Sequence, residues 1–301
     1  MKKHLHPMET LIRIPGLQKE ISIMQITDSH LTEVNAKDEK EIQQIAAERT
    51  KVFQSFDDVT SREIFAAHIR LCNGHHVDGA VFTGDIIDFP SHANLEGIKQ
   101  EFETLKAPYL YTMGNHDWSY PHLAASDELR LRNYSKFRAW SHHAPGCEQL
   151  ELGGVNLIAI DNSNYQVTPA QFHYVEEHAK RGPCLLFMHI PLYVPSLEPD
   201  VRQRWQAPIM MGATTWTTEE QQRWHVRDVD DSTATFRQWL LEGSSENIWG
   251  IFCGHVHFAH VDEYRKARYQ YVTEPGFLGG CRLIQLKPAD ALDSHMSHRS
   301  V

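Results

Sequence analysis

The sequence of 301 residues lacks an apolar run that could cross a membrane, since a membrane-spanning helix needs about 18 or more consecutive apolar residues. Residues 1–17 begin with two lysines, but no apolar segment precedes Arg13 and Pro15, so a secretory signal is not indicated. We therefore expect a soluble, cytoplasmic protein with no membrane partner.

Cysteine is also sparse. The five cysteines are odd in number and widely scattered, and most are embedded in apolar sequence. This pattern excludes both a disulfide framework and a CxxC zinc site, so we expect reduced core residues. They are Cys72, Cys147, Cys184, Cys253 and Cys281.

Positive charge is in deficit, with 29 Lys and Arg against 39 Asp and Glu and a formal net charge of -10. No block of Lys or Arg appears, and phosphate backbones are bound through such an excess, so nucleic acid is a disfavoured partner. The 20 histidines are the unusual feature of the composition. Those outside the motifs below, such as His4, His6, His142 and His143, are expected to be ordinary surface residues.

The 41% of hydrophobic residues suffices for a large core, and the length fits one large domain or two modest ones. Because neither an internal repeat nor a linker is visible, we expect a single domain over 1–286, followed by a polar tail over 287–301.

Five polar motifs each follow an apolar, β-rich segment. In residues 80–90 (AVFTGDIIDFP), a strand ends at Gly84 and presents Asp85 and Asp88. Because α/β sheets place active sites at the carboxyl ends of strands, this order predicts a shared site. The other motifs are Asp28-Ser29-His30, Gly114-Asn115-His116-Asp117, His189 and Gly254-His255-Val256-His257.

The remaining pattern predicts an opening hairpin, with strands over 11–14 and 21–27 joined at Pro15-Gly16. Helical spacing within 33–56 predicts a surface helix without chemistry. Strands over 269–273 and 281–286 are expected to close the sheet in antiparallel fashion. Further helices are expected over 60–72, 94–104, 127–140, 168–180 and 231–242, and further strands over 109–113, 147–152, 155–160, 185–188 and 248–253.

The segment 194–231 differs from the rest, with Trp205, Trp216 and Trp224, many charges and little periodicity. Long excursions near a site are often lids or substrate walls. A surface insertion or a dimer contact is an equally good interpretation of this segment.

Taken one at a time, these motifs are weak. A histidine at a strand end is more often a structural residue than a ligand, and an aspartate there is more often a turn residue or cap. His255 and His257 would point to opposite faces of a strand, unless they lie in a loop.

Together, the ordered set DxH, GDxxD, GNHD, His and GHxH resembles the calcineurin-like metallophosphoesterases over residues 21–286. The resemblance implies an α/β fold, a four-layer α/β/β/α sandwich with a dinuclear metal centre along one edge. It makes Asp85 a ligand shared by both ions. The implied ligands are Asp28, His30, Asp85 and His257 for one ion, and Asp85, Asn115, His189 and His255 for the other.

A mixed imidazole, carboxylate and amide set suits transition metals better than Ca or Mg, so Mn or Fe is favoured, with Zn as the next choice. Only Asp28 and Asp85 are anionic in this set. Two divalent ions would leave about two positive charges, or about one after a bridging hydroxide is bound. Such a centre suits a small phosphoester substrate, which the shared hydroxide attacks while the ions hold the phosphoryl oxygens.

His116 adjoins Asn115 but is not in the ligand set, so we expect it to be the general acid for the leaving group. The resemblance implies that Asp88 orients His116, whereas Asp117 is expected to be a structural hydrogen-bond acceptor. The competing interpretation of Asp88 is a loop cap.

The sequence departs from the protein phosphatase branch of this family, which has Arg-Gly after GDxxD and Arg before GNHE. Here Phe89-Pro90 and Met113 stand at those positions. A phosphodiester needs less positive charge than a monoester dianion, so the pattern favours the branch of class III cyclic-nucleotide and related phosphodiesterases. An arginine of the excursion could serve instead, for example Arg202, Arg204 or Arg223.

The first alternative is therefore a phosphomonoesterase acting on small molecules, with a DNA nuclease a poorer one. A non-catalytic metal-binding scaffold is the alternative of a different class, but it would be expected to have lost ligands or the acid. The sequence leaves open the substrate-binding residues, the physiological substrate, the native metal and the oligomeric state.

Overall fold

The computed structural model describes residues 5–54, 59–138, 140 and 146–289. The strands are β1 (His6–Ile14), β2 (Ile21–Ile26), β3 (Gly79–Thr83), β4 (Tyr109–Thr112), β5 (Cys147–Leu152), β6 (Val155–Ile160), β7 (Cys184–Phe187), β8 (Ile248–Cys253), β9 (His260–Arg265), β10 (Arg268–Val272) and β11 (Gly280–Pro288). The helices are α1 (Lys40–Val52), α2 (Ser61–His75), α3 (His92–Phe102), α4 (Asn115–Trp118), α5 (Asp127–Asn133), α6 (Pro169–Arg181), α7 (Glu198–Trp205), α8 (Thr218–Trp224) and α9 (Asp231–Glu242).

The strands form two mixed sheets, with the orders β1-β11-β2-β3-β4 and β5-β6-β7-β8-β10-β9. Strands β2, β3 and β4 are parallel, as are β6, β7 and β8. Their carboxyl ends carry the polar motifs, so each sheet contributes loops to one site.

The predicted opening hairpin is wrong. A turn at Gly16 is present, with φ of 80° and a hydrogen bond from Leu17 N to Ile14 O, but β1 and β2 are not neighbours. Strand β11 lies between them, parallel to β1 and antiparallel to β2. Hydrophobic periodicity identifies strands but does not say which strands pair, and here the partner comes from the far end of the chain.

The strands predicted over 269–273 and 281–286 each have an antiparallel neighbour, as expected, but they lie in different sheets and so do not close one sheet together. Strand β10 pairs in parallel with β8 and antiparallel with β9. Strand β9 was missed because this edge strand carries charged residues on both sides of its pleat, including Asp262, Glu263 and Arg265. Such a segment gives no apolar alternation.

Alternate residues of the central strands face opposite layers. In β6, Val155 and Leu157 pack between the two sheets, whereas Ile158 and Ile160 pack against the outer helices. In β2, Ile23 packs between the sheets and Met24 against helices of the first sheet. Both faces are buried, which explains the nearly continuous apolar runs. The predicted four-layer sandwich, with two sheets flanked by helices, is confirmed.

Helix starts follow their capping residues. The Thr60 side chain accepts from Glu63 N at the start of α2, and the Thr168 side chain accepts from Gln171 N before α6. Helix α9 has the predicted bounds of 231–242, and the Asp230 side chain before it accepts from Thr233 N. The predicted helix over 127–140 is shorter: α5 is followed by a 3₁₀ turn over Tyr134–Phe137.

All five cysteines are free, and four are buried, with Cys147 partly exposed. The expectations for His4, His142, His143, the side chain of His6 and the tail beyond residue 289 fall outside the described residues.

A buried polar side chain joins the two sheets beneath the motifs. Gln25 of β2 donates to Thr83 Oγ1 (3.0 Å) and to the Cys253 carbonyl (3.2 Å), and accepts from Thr273 Oγ1 (2.7 Å). Gln25 is fully buried. Since Thr83 and Cys253 end β3 and β8, this contact fixes the relative position of the strands that deliver Asp85 and His255.

We predict that Gln25→Met lowers the free energy of unfolding by about 1–3 kcal/mol, because methionine keeps the shape but leaves buried polar partners unpaired. Urea unfolding measures the change. Gln18→Met, at an exposed position, is the control and should change stability by less than about 0.5 kcal/mol. If both substitutions had equally small effects on the free energy of unfolding, the hydrogen bonds of Gln25 would not be needed for stability.

Candidate metal centre

The carboxyl ends of strands from both sheets meet at one edge. Asp28 follows β2, Asp85 follows β3, His189 follows β7 and His255 follows β8. A hydrogen bond from His189 Nδ1 to the Thr83 carbonyl (2.8 Å) crosses from the second sheet to the first. Of the remaining predicted site residues, His30, Asp88, His116 and His257 lie in the same region, as the contacts below show, and Asn115 directly precedes His116 in α4.

The backbone of this region is unusual. Five of the seven predicted ligands have positive φ, a conformation that costs most residues on the order of 1 kcal/mol each, although Asp and His adopt it more readily than most. They are Asp28 (49°), His30 (44°), Asp85 (51°), His255 (70°) and His257 (58°). His255 and His257 therefore lie in a loop, which removes the objection that they would face opposite sides of a strand.

Backbone hydrogen bonds between the loops hold these conformations. Asp28 N donates to the Gly84 carbonyl (3.0 Å), His30 N to the Asp85 carbonyl (2.9 Å), and Phe277 N to the Asp28 carbonyl (3.0 Å). The carboxylate of Asp28 also accepts from His255 N (2.9 Å). The strained backbone is thus fixed by partners from other loops before any ion binds.

A steric constraint requires glycine at the first position of the GNHD and GHVH motifs. A Cβ at Gly114 would lie 2.1 Å from Asp85 Oδ1, and a Cβ at Gly254 would lie 2.0 Å from Thr27 Oγ1. Any side chain at these positions would displace the carboxylate loops, so the motifs need glycine for close approach.

One cluster contains Asp28, His30 and His257. The Nε2 atoms of His30 and His257 are 3.1 Å apart, and Asp28 Oδ1 lies 3.2 Å from His257 Nε2. Burial raises the pKa of Asp28, but the hydrogen bond and charge of His257 outweigh it and lower the pKa to about 2. Burial also lowers the pKa of His30 to about 4, so its ring is neutral and has a lone pair to offer.

The second cluster contains Asp85, His189 and His255. Asp85 Oδ2 lies 3.1 Å from His189 Nε2, which is 3.2 Å from His255 Nδ1. Asp85 Oδ2 is also 3.8 Å from His30 Nε2, so this carboxyl group touches both clusters. Asn115 Oδ1 is buried and accepts no hydrogen bond within the described part of the chain.

The tautomer of His189 indicates that a cation belongs here. Its Nδ1 donates to the Thr83 carbonyl, so a neutral ring points the Nε2 lone pair at a carboxylate oxygen of Asp85. Two lone pairs at this distance need a proton or a metal ion between them. Burial lowers the pKa of His189, but the charge of Asp85 outweighs it and raises the pKa to about 9. To bind a metal ion, His189 would have to give up that proton, and its Nε2 and the oxygens of Asp85 would then be donors of the kind that suits divalent ions.

Tyr165 is a contributor that sequence reasoning missed. Its hydroxyl lies 3.0 Å from His255 Nε2, and both residues are buried. If His255 Nε2 donates to this hydroxyl, Nδ1 presents its lone pair towards His189. Such a partner fixes which nitrogen of a ligand histidine faces the metal. Tyr165 follows no recognised motif, so the sequence offered no signal.

His116 lies beside the clusters with Asp88. His116 Nδ1 is 2.9 Å from Asp88 Oδ1, and His116 N donates to Asp85 Oδ1 (2.8 Å). The side chain of His116 is 29% exposed, whereas that of Asp88 is fully buried. Burial lowers the pKa of His116, but the charges of Asp85 and Asp88 raise it to about 9.

Asp117 accepts from three backbone amides, those of Gly114 (2.8 Å), Asp85 (3.0 Å) and Ile87 (3.1 Å). Burial and the charge of Asp85 raise its pKa to about 7. These bonds join the GDxxD and GNHD loops and match the structural role expected for Asp117.

Helix α1, in the segment 33–56 that was expected to give no chemistry, contacts two of the predicted site residues. Arg49 of α1 donates to both oxygens of Asp88, at 2.6 Å from Nε and 2.6 Å from Nη2. Phe53, at the end of α1, stacks on His30 with ring centroids 4.0 Å apart and planes within 4°. Arg49 and Phe53 are four residues apart and so share one helix face.

The excursion over 194–231 contains α7 and α8 and reaches the same region. Trp205 Nε1 donates to the Val256 carbonyl (2.8 Å), and the Trp205 ring lies 5.3 Å from that of His257. Trp216 packs edge-on against Tyr165 at 5.9 Å. The side of the excursion that carries these tryptophans thus borders the site; whether the excursion moves as a lid stays a prediction.

The model of the calcineurin-like phosphoesterase family matches residues 21–271. The chain therefore belongs to this family, and the resemblance inferred from the five motifs is confirmed. The family is one of metal-dependent phosphoric ester hydrolases, which is the enzyme class expected from the sequence. A comparison with curated protein sequences gives no match.

Among solved structures, purple acid phosphatase PPD1 from yellow lupin (Lupinus luteus) seeds is similar, with a TM-score of 0.52 and 12% identity, covering 89% of this chain and 46% of that one. The chain thus spans about half the length of the lupin protein. A dimetal phosphatase from Danio rerio has a TM-score of 0.48 and 10% identity, covering 85% of this chain and 88% of that one. A 5'-nucleotidase from Candida albicans gives a TM-score of 0.42 and 13% identity, covering 90% and 47%. The likeness to the lupin protein supports the fold alone.

Within the described residues, none of the helices combines the length and apolarity needed to cross a membrane.

The assignment of the seven ligands stays a prediction, and Asp85→Asn tests it. Since Asp85 touches both clusters, we expect metal content measured by mass spectrometry to fall from about two ions per chain to below one. The matched control is Asp161→Asn, because Asp161 also follows a strand but pairs with Arg130 and Tyr134 instead. Full retention of metal by Asp85→Asn would contradict a shared carboxylate.

Proposed function

We propose that this protein hydrolyses a small phosphoester, most favourably a phosphodiester, at a dinuclear metal centre held by the seven clustered side chains. The observation that carries the proposal is the joining of the two clusters at Asp85, with a partly exposed histidine, His116, hydrogen-bonded beside them.

One ion would be held by Asp28, His30, Asp85 and His257. The other would be held by Asp85, Asn115, His189 and His255. When bound, two such ions supply an attacking hydroxide and positive charge against the phosphoryl oxygens.

His116 is the residue of this chain that can act on the leaving group. Its Nδ1 is held by Asp88, so Nε2 is left to face the substrate. Asp88 is in turn fixed by the two hydrogen bonds from Arg49. The order Arg49, Asp88, His116 therefore positions a proton donor next to the clusters, as general acid catalysis requires.

Two arginines that could clamp a monoester dianion, Arg49 and Arg202, are already paired with carboxylates, which supports a diester. Arg49 is engaged in its bidentate pair with Asp88. Arg202 donates to Glu198, Glu220 and the Thr215 carbonyl, which excludes it as the expected phosphate clamp. Arg204 lies over the Trp205 ring. A monoester dianion would need a guanidinium free to bind it, whereas a diester monoanion needs less positive charge.

The experiment is a paired assay of the Mn-loaded protein with bis(p-nitrophenyl) phosphate and p-nitrophenyl phosphate. We expect kcat/KM to be higher for the diester. A preference for the monoester would reverse the choice of substrate class, and inactivity towards both with two ions bound would favour a non-catalytic scaffold.

His116→Ala should keep both ions but lose activity selectively. We expect a loss of about 10²-fold or more for an ester of a poor leaving group such as methyl phenyl phosphate, and a smaller loss for bis(p-nitrophenyl) phosphate, because p-nitrophenolate leaves without a proton. His173→Ala, at an exposed position on α6, is the control. An equal loss for both esters would remove His116 from the acid role.

A further inference from the structure

A cleft of about 550 Å³ lies next to the candidate metal ligands. Its lining includes Asn115, His116 and Tyr165, the last of which contacts His255. This volume fits a ligand of several rings, since small-molecule sites span roughly 300–1,000 Å³. The cleft was not visible in the sequence, because its walls come from three separate segments.

The position of His116 decides which half of a substrate enters the cleft. In the proposed reaction, water gives one proton to solvent and its oxygen bonds to phosphorus. The bond from phosphorus to the alcohol oxygen breaks, that oxygen leaves with the proton of His116, and solvent returns a proton to His116. The leaving alcohol therefore lies beside His116, which is one of the residues that line the cleft.

We propose that this cleft binds the leaving alcohol of the substrate, and that this alcohol carries a planar aromatic group and an anionic group bound by Arg223. This inference rests on the proposed function and adds the class of the leaving group.

The walls favour an aromatic group. Trp224 and Tyr120 line the cleft, together with Leu123, whose side chain is 48% exposed. Trp224 packs edge-on against Trp205 at 5.9 Å, and Trp205 lies against His257. Aromatic rings held in this way offer a fixed surface for stacking.

The charged side chains that line the cleft favour an anionic ligand. The residues that line the cleft include two guanidinium groups, Arg223 and Arg227, and one carboxylate, Asp127. Arg227 pairs with Asp127 at 2.9 Å. Arg223 instead contacts neutral groups, donating to the Gln206 carbonyl (2.9 Å) with its guanidinium 5.9 Å from the Trp224 ring. The lining of the cleft thus has one more positive than negative side chain, although the chain as a whole has a net charge of -10. This local surplus of positive charge selects for an anion.

Arg223 is therefore distinguished from the other arginines of the excursion. Arg202 is held by carboxylates of its own segment and Arg204 is exposed over Trp205, whereas Arg223 lines the same cleft as His116. Because Arg223 directly precedes Trp224 in the sequence, the carboxyl end of α8 supplies both the stacking surface and the cation.

The test measures binding of a product-like alcohol, 6-hydroxy-2-naphthoate, and of its neutral methyl ester to the Mn-loaded protein by calorimetry. We expect the acid to bind at least about tenfold more tightly than the ester, since a charge-assisted hydrogen bond is involved. Arg223→Gln should abolish this preference, and Trp224→Ala should weaken both probes.

Arg204→Gln is the matched control and should keep the preference of the unaltered protein. The inference would be overturned if the acid and the ester bound equally well, or if Arg223→Gln left the preference unchanged. It would also be overturned if Arg204→Gln lost the preference to the same extent, or if Trp224→Ala bound both probes without impairment. The readout needs no turnover, so an inactive protein with the expected binding pattern would count against the proposed hydrolysis alone. An active protein without the pattern would count against the cleft assignment alone.

Discussion

The cluster of Asp28, His30 and His257 and the cluster of Asp85, His189 and His255 meet at the carboxyl group of Asp85. One oxygen accepts from His116 N, and the other faces His189 and His30. Asp85 is 1% exposed, and although burial raises the pKa of a carboxyl group, the charges of His189 and His116 hold this one well below its usual value. A buried carboxylate is tolerated only with compensating positive charge. The loops around it place several side-chain nitrogen and oxygen atoms that could bind a cation close to this carboxylate.

Two segments from outside the motifs complete the surroundings of that carboxylate. Helix α1 covers one side, where Phe53 stacks on His30 and Arg49 holds Asp88. The excursion covers the other, where Trp205 is bonded to the GHVH loop. The motif residues carry the resemblance to the family, whereas these two segments lie beside them and contain none of the five motifs.

Much of this could be predicted from sequence because it depends on local pattern. The apolar runs before Asp85 and His189 are buried on both faces, so periodicity and strand-end position identified them. Strand pairing depends on distant chain segments, which is why the neighbour of β1 was missed. The positive φ of the ligand residues arises from bonds between loops and is not encoded by residue type alone. Tyr165 and Arg49 act through partners more than 30 residues away, which no single-segment pattern can show.

The most direct measurement is the anomalous scattering of crystals of the Mn-loaded protein. Because both clusters share Asp85, we predict two peaks about 3.5–4 Å apart, one on each side of this carboxyl group. A single peak, or peaks away from Asp85, would contradict the dinuclear centre on which the proposed chemistry rests.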